Sequence, residues 1–330
     1  MPLPLYHHPS TVVLVDDSAT FLDSVRFQLG PRQPCRTFAD AAAAIDWLRE
    51  RSGADAPVAP SARFFSPGVD AFAPQPLNVA LHVERVARIV RDPRRFETAS
   101  VLVVDYSMPG MNGLQVCEAV RHLPCRRILL TGAADERIAI DAFNRGLIDR
   151  FIRKSDHDAL DRLDAELATL QRRYFLEQAD ALRKLLPLHG FGFIDDPAVA
   201  TLIAQTAECC RIVEHYLVHA PSGFLMLDRD GKSWLLVIET EQTMAAHAEM
   251  ARDSGAPASL LDALERRLII PDFSTGDGMY SPSFGRDWYR YTAAARICEG
   301  RQRYYWALFE APGFLREPVA PFAAFAHGGG

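Results

Sequence analysis

The chain has 330 residues and a formal net charge of −6; 48% of its residues are hydrophobic and 24% charged. At about 150 residues per domain the length suggests two domains, and ordinary globular usage excludes a disordered or fibrous protein. No global basic field draws the chain to nucleic acid, and no apolar run approaches the roughly 20 residues of a membrane-spanning helix.

The N-terminal stretch MPLPLYHHPS has neither a basic n-region nor an apolar h-region, so no signal peptide is expected. The six cysteines, Cys35, Cys117, Cys125, Cys209, Cys210 and Cys298, form no CxxC pair and no zinc spacing with histidine. They read as reduced thiols of a cytoplasmic protein.

The first half alternates strand and helix patterns. Thr11–Asp17 (TVVLVDD) is a short β-branched run ending in two acids, the pattern of a buried parallel strand. Ser18–Leu29 carries Phe21, Leu22, Val25 and Leu29 at helical spacing. Cys35–Phe38 is a second strand. Asp40 caps a helix to Arg51 with Ala44, Ile45 and Leu48 as its buried stripe. Ser52–Pro76 is rich in Ala, Pro, Ser and Gly and reads as a loop. Val79, Val83, Val86 and Val90 then predict a helix over 78–91, so the stretch from about 52 to 99 reads as an insertion. Strand and helix resume with Val101–Asp105, a helix over Leu114–Leu123, and a strand Arg127–Gly132. A helix over Asp135–Asn144, with Ile138, Ala139 and Phe143 inward, and a strand Ile148–Lys154 complete the set. Five such pairs imply a doubly wound parallel five-stranded sheet with helices on both faces.

From Asp156 a helical pattern runs unbroken to about Leu186. Leu160, Leu163, Leu167, Leu170 and Tyr174 form an a/d seam over about two heptads. The stripe packs on the domain's own sheet, or its second half, outrunning one small domain, links the domains and makes a dimer contact. Under the second alternative Leu170 lies past the receiving domain's own packing.

The second half reads as α+β with an antiparallel sheet of about four strands. Asp196 and Pro197 start a helix whose apolar face runs Val199, Ile203, Ala207, Cys210, Val213 and Leu217. Phe224–Leu227 and Trp234–Ile238 flank a turn at Asp228–Lys232 and predict a hairpin. Helices are expected at Thr243–Arg252 and Ser259–Arg267, a loop at Ser274–Gly285, and a second hairpin of Tyr289–Cys298 with Arg303–Glu310. The tail from Val319 is expected to fray.

Four strands of the first half end in polar residues: Asp16 and Asp17, Asp105, Thr131 and Lys154. In an open parallel sheet the carboxyl ends of the strands line one crevice. Three adjacent carboxylates repel unless a cation joins them, and hard oxygens suit Mg²⁺. A lysine and a hydroxyl beside them can hold phosphoryl oxygens.

The motifs LVDDS, VVDYSMPGMNG, LLTG and FIRK, in that order and each at an expected strand end, resemble the receiver domain of two-component response regulators over about residues 9–165. The resemblance implies a flavodoxin-like fold, with a linking helix over 156–190 and an output domain over 191–318. It implies that Asp105 is the phosphoacceptor, taking phosphate from a histidine kinase or phosphotransfer protein. Asp17, Asp16 (directly or through water), Asp105 and the Ser107 backbone carbonyl would ligate Mg²⁺. Thr131 and Lys154 would hold the phosphoryl group, and Thr131 with Phe151 would form the switch. Catalysis would be limited to the receiver's own phosphotransfer and autodephosphorylation. Ser155 stands where the family has a proline, and the insertion is a second departure. The insertion, the run Phe143–Asp149 and the closing Gln171–Phe175 are similar to quorum-sensing response regulators of the Legionella type, which carry an atypical output domain.

Three readings of the output domain compete. It is a non-catalytic module acting by protein or ligand interaction, a DNA-binding regulator, or a metal-dependent enzyme using Asp228, Asp230, Glu239, Glu241 and Lys232. Arg266 and Arg267 are too few for a recognition helix, and Asp with Gly at a hairpin is turn chemistry. His215 and His219, one helical turn apart, lack a third metal ligand. Tyr289, Tyr291, Tyr304, Tyr305 and Trp306 belong to the last hairpin, as core or as a binding face. A homodimer through Leu163, Leu167, Leu170 and Tyr174 is expected, with no membrane partner.

Overall fold

A computed structural model describes residues 2–51, 65–67, 79–81, 83–132, 135–273, 280–310, 315 and 318–328. The chain divides into two compact units. One is His8–Arg63, Asp92–Ala179 and Phe322–Gly330; the other is Met1–His7, Phe64–Arg91 and Asp180–Pro321.

The first unit holds a five-stranded parallel sheet in the order Cys35–Phe38, Thr11–Val15, Ala99–Asp105, Arg126–Thr131 and Arg150–Arg153. Numbered along the chain this is 2-1-3-4-5, the doubly wound flavodoxin-like arrangement. Thr11–Val15 and Ala99–Asp105 are buried along their whole length, which is why they read as continuous apolar runs. Alternate side chains of each strand face opposite sides. Val12, Leu14, Val101 and Val103 pack with helices Ala19–Leu29 and Ala159–Gln178. Val13, Val15, Leu102 and Val104 pack with Ala41–Arg51, Gly113–Ala119 and Glu136–Asn144. Asp40 caps its helix by accepting the Ala43 N–H at 2.8 Å.

Three expectations are corrected in this unit. On Glu136–Asn144 the inward residues are Ala139 and Ala142, while Ile138 and Phe143 are 42% and 44% exposed. At 3.6 residues per turn these two fall about 70° to either side of the alanine face. The long helix stops at Ala179 and resumes as Asp180–Leu185 and a 3-10 turn to His189. Its first piece, 20 residues, is thus about 30 Å long. Finally, the a/d seam is covered by the chain itself. Leu163, Leu167, Leu170 and Tyr174 are 1, 2, 0 and 3% exposed; the three leucines join the cluster of Val12, Val101 and Ile128, and Tyr174 packs edge-on against Phe175. The stripe is core and is not available as a dimer contact.

The second unit holds a six-stranded antiparallel sheet in the order Tyr6–His7, Ile212–Val218, Gly223–Asp228, Ser233–Thr240, Arg303–Glu310 and Arg296–Glu299. Two strands exceed the expected four. The helix begun at Pro197 ends at Cys209, and Arg211, at φ 54°, turns the chain into the strand Ile212–Val218. Val213 and Leu217 therefore lie on a strand. His215 sits on that strand and His219 just past it, so they are not a helical pair. The expected hairpin at Asp228–Lys232 is present; the Asp228 carboxylate accepts the N–H groups of Asp230 and Lys232, each at 2.9 Å. In the last hairpin only Arg296–Glu299 pairs with Arg303–Glu310. Tyr289 and Tyr291 close a 3-10 stretch, and Thr292–Ala294 pairs instead with Ile269–Pro271. Helices Glu241–Asp253 and Ala258–Glu265 stand close to their expected places.

The helix expected over 78–91 is shorter. Val79–Leu81 pairs with Phe65–Pro67 as a strand, consistent with β-branched valine, and the helix spans Glu84–Arg88. Val83, Val86 and Val90 are buried as the pattern required. Residues 52–64, 68–78 and 82 of the predicted insertion, Ser274–Met279 of the expected loop and the last two residues of the tail lie outside the described residues.

Asp196 ties two parts of this unit together. Its carboxylate caps helix Pro197–Cys209 at the Ala198 N–H (2.9 Å) and accepts the Arg301 N–H (2.6 Å). A Cβ at Gly300 would lie 2.4 Å from that carboxylate, so a side chain there would have to displace it. Burial works to raise the carboxyl's pKa, but the backbone donors of Arg301 and Ala198 outweigh it and hold the pKa below the ordinary range. A depressed folded pKa gives stability that is complete above the unfolded value, about 3.9, and is lost as pH falls through the folded one. Asp196→Ala should cost about 2–4 kcal/mol at pH 7, and the difference from the parent should shrink in acid. Urea unfolding of both proteins at pH 7 and pH 3 reads this; an equal difference at the two pH values would contradict it.

Candidate functional site

The parallel register sets the carboxyl ends of four strands side by side. Val15 pairs with Val104, Asp105 with Leu130, and Thr131 with Arg153. Asp16, directly after its strand, donates its N–H to the Phe38 carbonyl at 3.1 Å. Asp16, Asp105 and Thr131 are buried and Asp17 is exposed. One oxygen from each of Asp16, Asp17 and Asp105 lies within 4.8 Å of the others. Lys154 Nζ reaches Asp16 Oδ2 at 2.5 Å and Asp105 Oδ1 at 2.9 Å. The sequence thus named a set that the fold brings together.

Electrostatics follow from this crowding. Burial pushes the Asp105 carboxyl above its ordinary pKa; the Asp16 and Asp17 charges add to that, and Lys154 opposes it. Burial alone would lower the Lys154 ammonium, but its hydrogen bonds to Asp16 and Asp105 prevail and raise it. Three carboxylates offset by one ammonium leave net negative charge that a further cation could neutralise.

The loop after Asp105 is built for close approach. Tyr106 N–H donates to the Leu130 carbonyl at 2.8 Å, and Gly113 N–H to the Tyr106 carbonyl at 3.1 Å. Gly110, at φ 78°, turns the loop that carries exposed Ser107. Asn112 and Gln115 form a capping box on helix Gly113–Ala119. A Cβ on Gly113 would stand 2.3 Å from the Asp105 carbonyl oxygen. That glycine lets the helix start against the backbone of Asp105.

The remaining predicted positions are placed as follows. The Thr131 hydroxyl is turned along the sheet, 3.5 Å from the Ile152 carbonyl. Phe151 is half-buried against the cluster of Ala139 and Val104. The Lys154–Ser155 bond is trans, and Lys154 reaches both carboxylates without a proline after it. Sequence reasoning missed Phe21, taken as a core-facing helix residue; its ring centre lies 4.6 Å from Lys154 Nζ. Its spacing from Asp17 was the available signal, since a helix capped at Ser18 must bring its first turn beside the strand end.

In the second unit Glu239, Glu241 and Lys232 of the candidate set are already engaged. Glu241 pairs with Arg267 at 2.7 Å and accepts the Tyr305 hydroxyl at 2.9 Å. Lys232 pairs with Glu310 at 2.8 Å, and Glu239 lies 3.4 Å from His247. Among the described residues, only Asp16, Asp17 and Asp105 form a group of three possible metal ligands. Tyr304 and Tyr305 are buried, whereas Tyr289 is 56% exposed.

No family model matches the chain, and no curated protein matches it either. The solved structure of the response regulator LqsR of Legionella pneumophila aligns with it at 31% identity and a TM-score of 0.75, over 93% of this chain and 89% of that one. The chain belongs to this response-regulator family. An adenylate cyclase structure from Rhodopirellula baltica (20% identity, TM-score 0.36, 54% of this chain and 97% of that one) and a receiver domain protein from Clostridium thermocellum (17%, 0.35, 51% and 98%) also match. The LqsR-type likeness spans both units, so the antiparallel unit is part of the family's plan. Among the described residues no helix is long and apolar enough to cross a membrane.

Proposed function

We propose that this response regulator is switched by phosphorylation of Asp105. The observation that carries the reading is a buried carboxylate at a strand end, facing two further acids and a lysine at 2.9 Å. An Asp105 oxygen attacks the phosphorus of a phosphohistidine on a histidine kinase or phosphotransfer protein. The O–P bond forms as the P–N bond breaks, and the imidazole leaves with the electron pair. Lys154, already beside that oxygen, takes a phosphoryl oxygen in place of the carboxylate. The Thr131 hydroxyl, held only by a 3.5 Å contact, is free to turn to the phosphoryl group, and half-buried Phe151 follows it inward.

The hard-oxygen donor set fits Mg²⁺. Asp16, Asp17, Asp105 and the Ser107 carbonyl would hold it, and when bound it would neutralise charge in the displacement.

The output unit acts as a non-catalytic module by protein or ligand interaction. Support comes from the arginines on and just after its two helices, which pair with neighbouring acids: Arg252 with Glu265 at 2.5 Å, Arg266 with Asp262 at 3.3 Å and Arg267 with Glu241 at 2.7 Å. A helix reading DNA keeps such residues free on one face. The resemblance of the insertion, of Phe143–Asp149 and of Gln171–Phe175 to quorum-sensing regulators supports a quorum-sensing context.

Incubation with acetyl phosphate and Mg²⁺, read by intact mass and by borohydride trapping of the acyl phosphate, tests the reading. One phosphate on the Asp105 peptide, lost when EDTA removes the metal, is the expected result. A label that maps elsewhere, or none, overturns it.

A further inference from the structure

We propose that Phe21 is a positioning residue of the phosphotransfer site, its ring holding the Lys154 ammonium by a cation–π contact. The inference rests on the reading of Asp105 as phosphoacceptor. Nζ stands 4.6 Å from the ring centre, inside the roughly 6 Å over which the ring quadrupole attracts a cation. The lysine side chain is 26% exposed, so the contact is partly withdrawn from water.

The ring is held from two sides. Phe21 is half-buried against the core cluster of Leu22, Val25 and Leu163. It also belongs to a closed circuit of contacts. Asp16 Oδ1 accepts the Ser18 N–H at 2.9 Å, and the Ser18 hydroxyl accepts the Phe21 N–H at 3.3 Å. The Phe21 ring meets Lys154, and Lys154 returns to Asp16 Oδ2 at 2.5 Å. One acid therefore fixes the lysine twice, once directly and once through the helix start.

The two holds respond differently when the site is engaged. A cation held by Asp16, Asp17 and Asp105 takes up their negative charge and weakens their grip on Lys154. The quadrupole of a phenyl ring does not change with that event. Phe21 thus keeps the ammonium aimed across Asp105 at the stage when its carboxylate partners are occupied. Packing alone would be served equally by leucine, and this separates the two roles.

The full-length protein is compared with Phe21→Leu and Phe21→Tyr, and with mono-, di- and trifluorophenylalanine at position 21. Labelling by acetyl phosphate with Mg²⁺ gives the rate. The Lys154 ε-methylene proton shift gives the contact itself. Phe21→Leu should label about two- to fivefold more slowly, tyrosine should restore the rate, and fluorination should slow it step by step. The ε-methylene protons should lose their upfield ring-current shift in Phe21→Leu. A leucine variant as fast as the parent, a tyrosine variant as slow as leucine, or an unmoved ε-methylene signal overturns the proposal. A parent that takes no label overturns instead the phosphoacceptor reading, and with it a role for Phe21 in transfer.

Discussion

Asp105→Asn should take up no phosphate, and without metal it should melt above the parent. The amide keeps the carboxylate's shape and can still accept from Lys154, but it offers no anionic oxygen to attack phosphorus. Labelling should fall at least about 100-fold, to background. The stability effect follows from the sign of the pKa change. Burial, with Asp16 and Asp17 beside it, raises the folded pKa of Asp105. An acid with a raised folded pKa destabilises the fold once pH climbs through that value, so at neutral pH its charge is a cost. Asparagine removes the cost, and Lys154 keeps Asp16 at 2.5 Å. Intact mass after acetyl phosphate, and thermal melts in EDTA at pH 7, check both halves. Labelling equal to the parent's would sink the assignment of Asp105. A lower melting temperature would mean that the ion pair with Lys154 outweighs the burial of the charge.

Leu170→Glu should unfold the receiver unit. Leu170 has no solvent exposure and packs in one cluster with Val101, Val103 and Ile128. Removing the leucine costs about 2–5 kcal/mol, and burying a carboxylate without a partner adds several kcal/mol more. Together these rival the roughly 5–15 kcal/mol that holds a domain folded. Leu160→Glu, at a half-buried position on the same helix, should be far milder. Circular dichroism and limited proteolysis of both variants decide the matter. A Leu170→Glu protein that stays protease-resistant would show that the helix does not depend on this stripe.

That second result reverses the expectation drawn from spacing alone. A 3-4-3-4 leucine stripe is the same string whether a sheet or a second helix covers it, because the period reports only that one face is apolar. The stop at Ala179 was equally hidden, since no glycine or proline marks it. Ile212–Val218 was absorbed into the preceding helix because Val213 and Leu217 continue that helix's spacing, and the turn is made by Arg211, a residue without a breaker's signature. Tyr6–His7 is two residues long, and its place in a sheet depends on a partner some two hundred residues away. The candidate site was far more legible. Buried parallel strands read as apolar runs, and the acid, hydroxyl or ammonium that ends each run is the group the crevice receives. Gly113 was visible as part of a motif, but its reason, 2.3 Å between a would-be Cβ and the Asp105 carbonyl, is tertiary.

The path of the chain has a consequence for its synthesis. It passes from one unit to the other after His7, Arg63, Arg91, Ala179 and Pro321. Phe322 and Phe325 stack against Phe96 in the receiver unit, with ring centres 5.3 and 5.4 Å away. Domains ordinarily fold in turn as they leave the ribosome, the N-terminal one first. Here the receiver lacks its last aromatic wall until Phe322 emerges, after nearly all of the output unit has been made. The packing around Phe96 is therefore completed only at the end of synthesis, with His8 as its early ring neighbour at 6.3 Å.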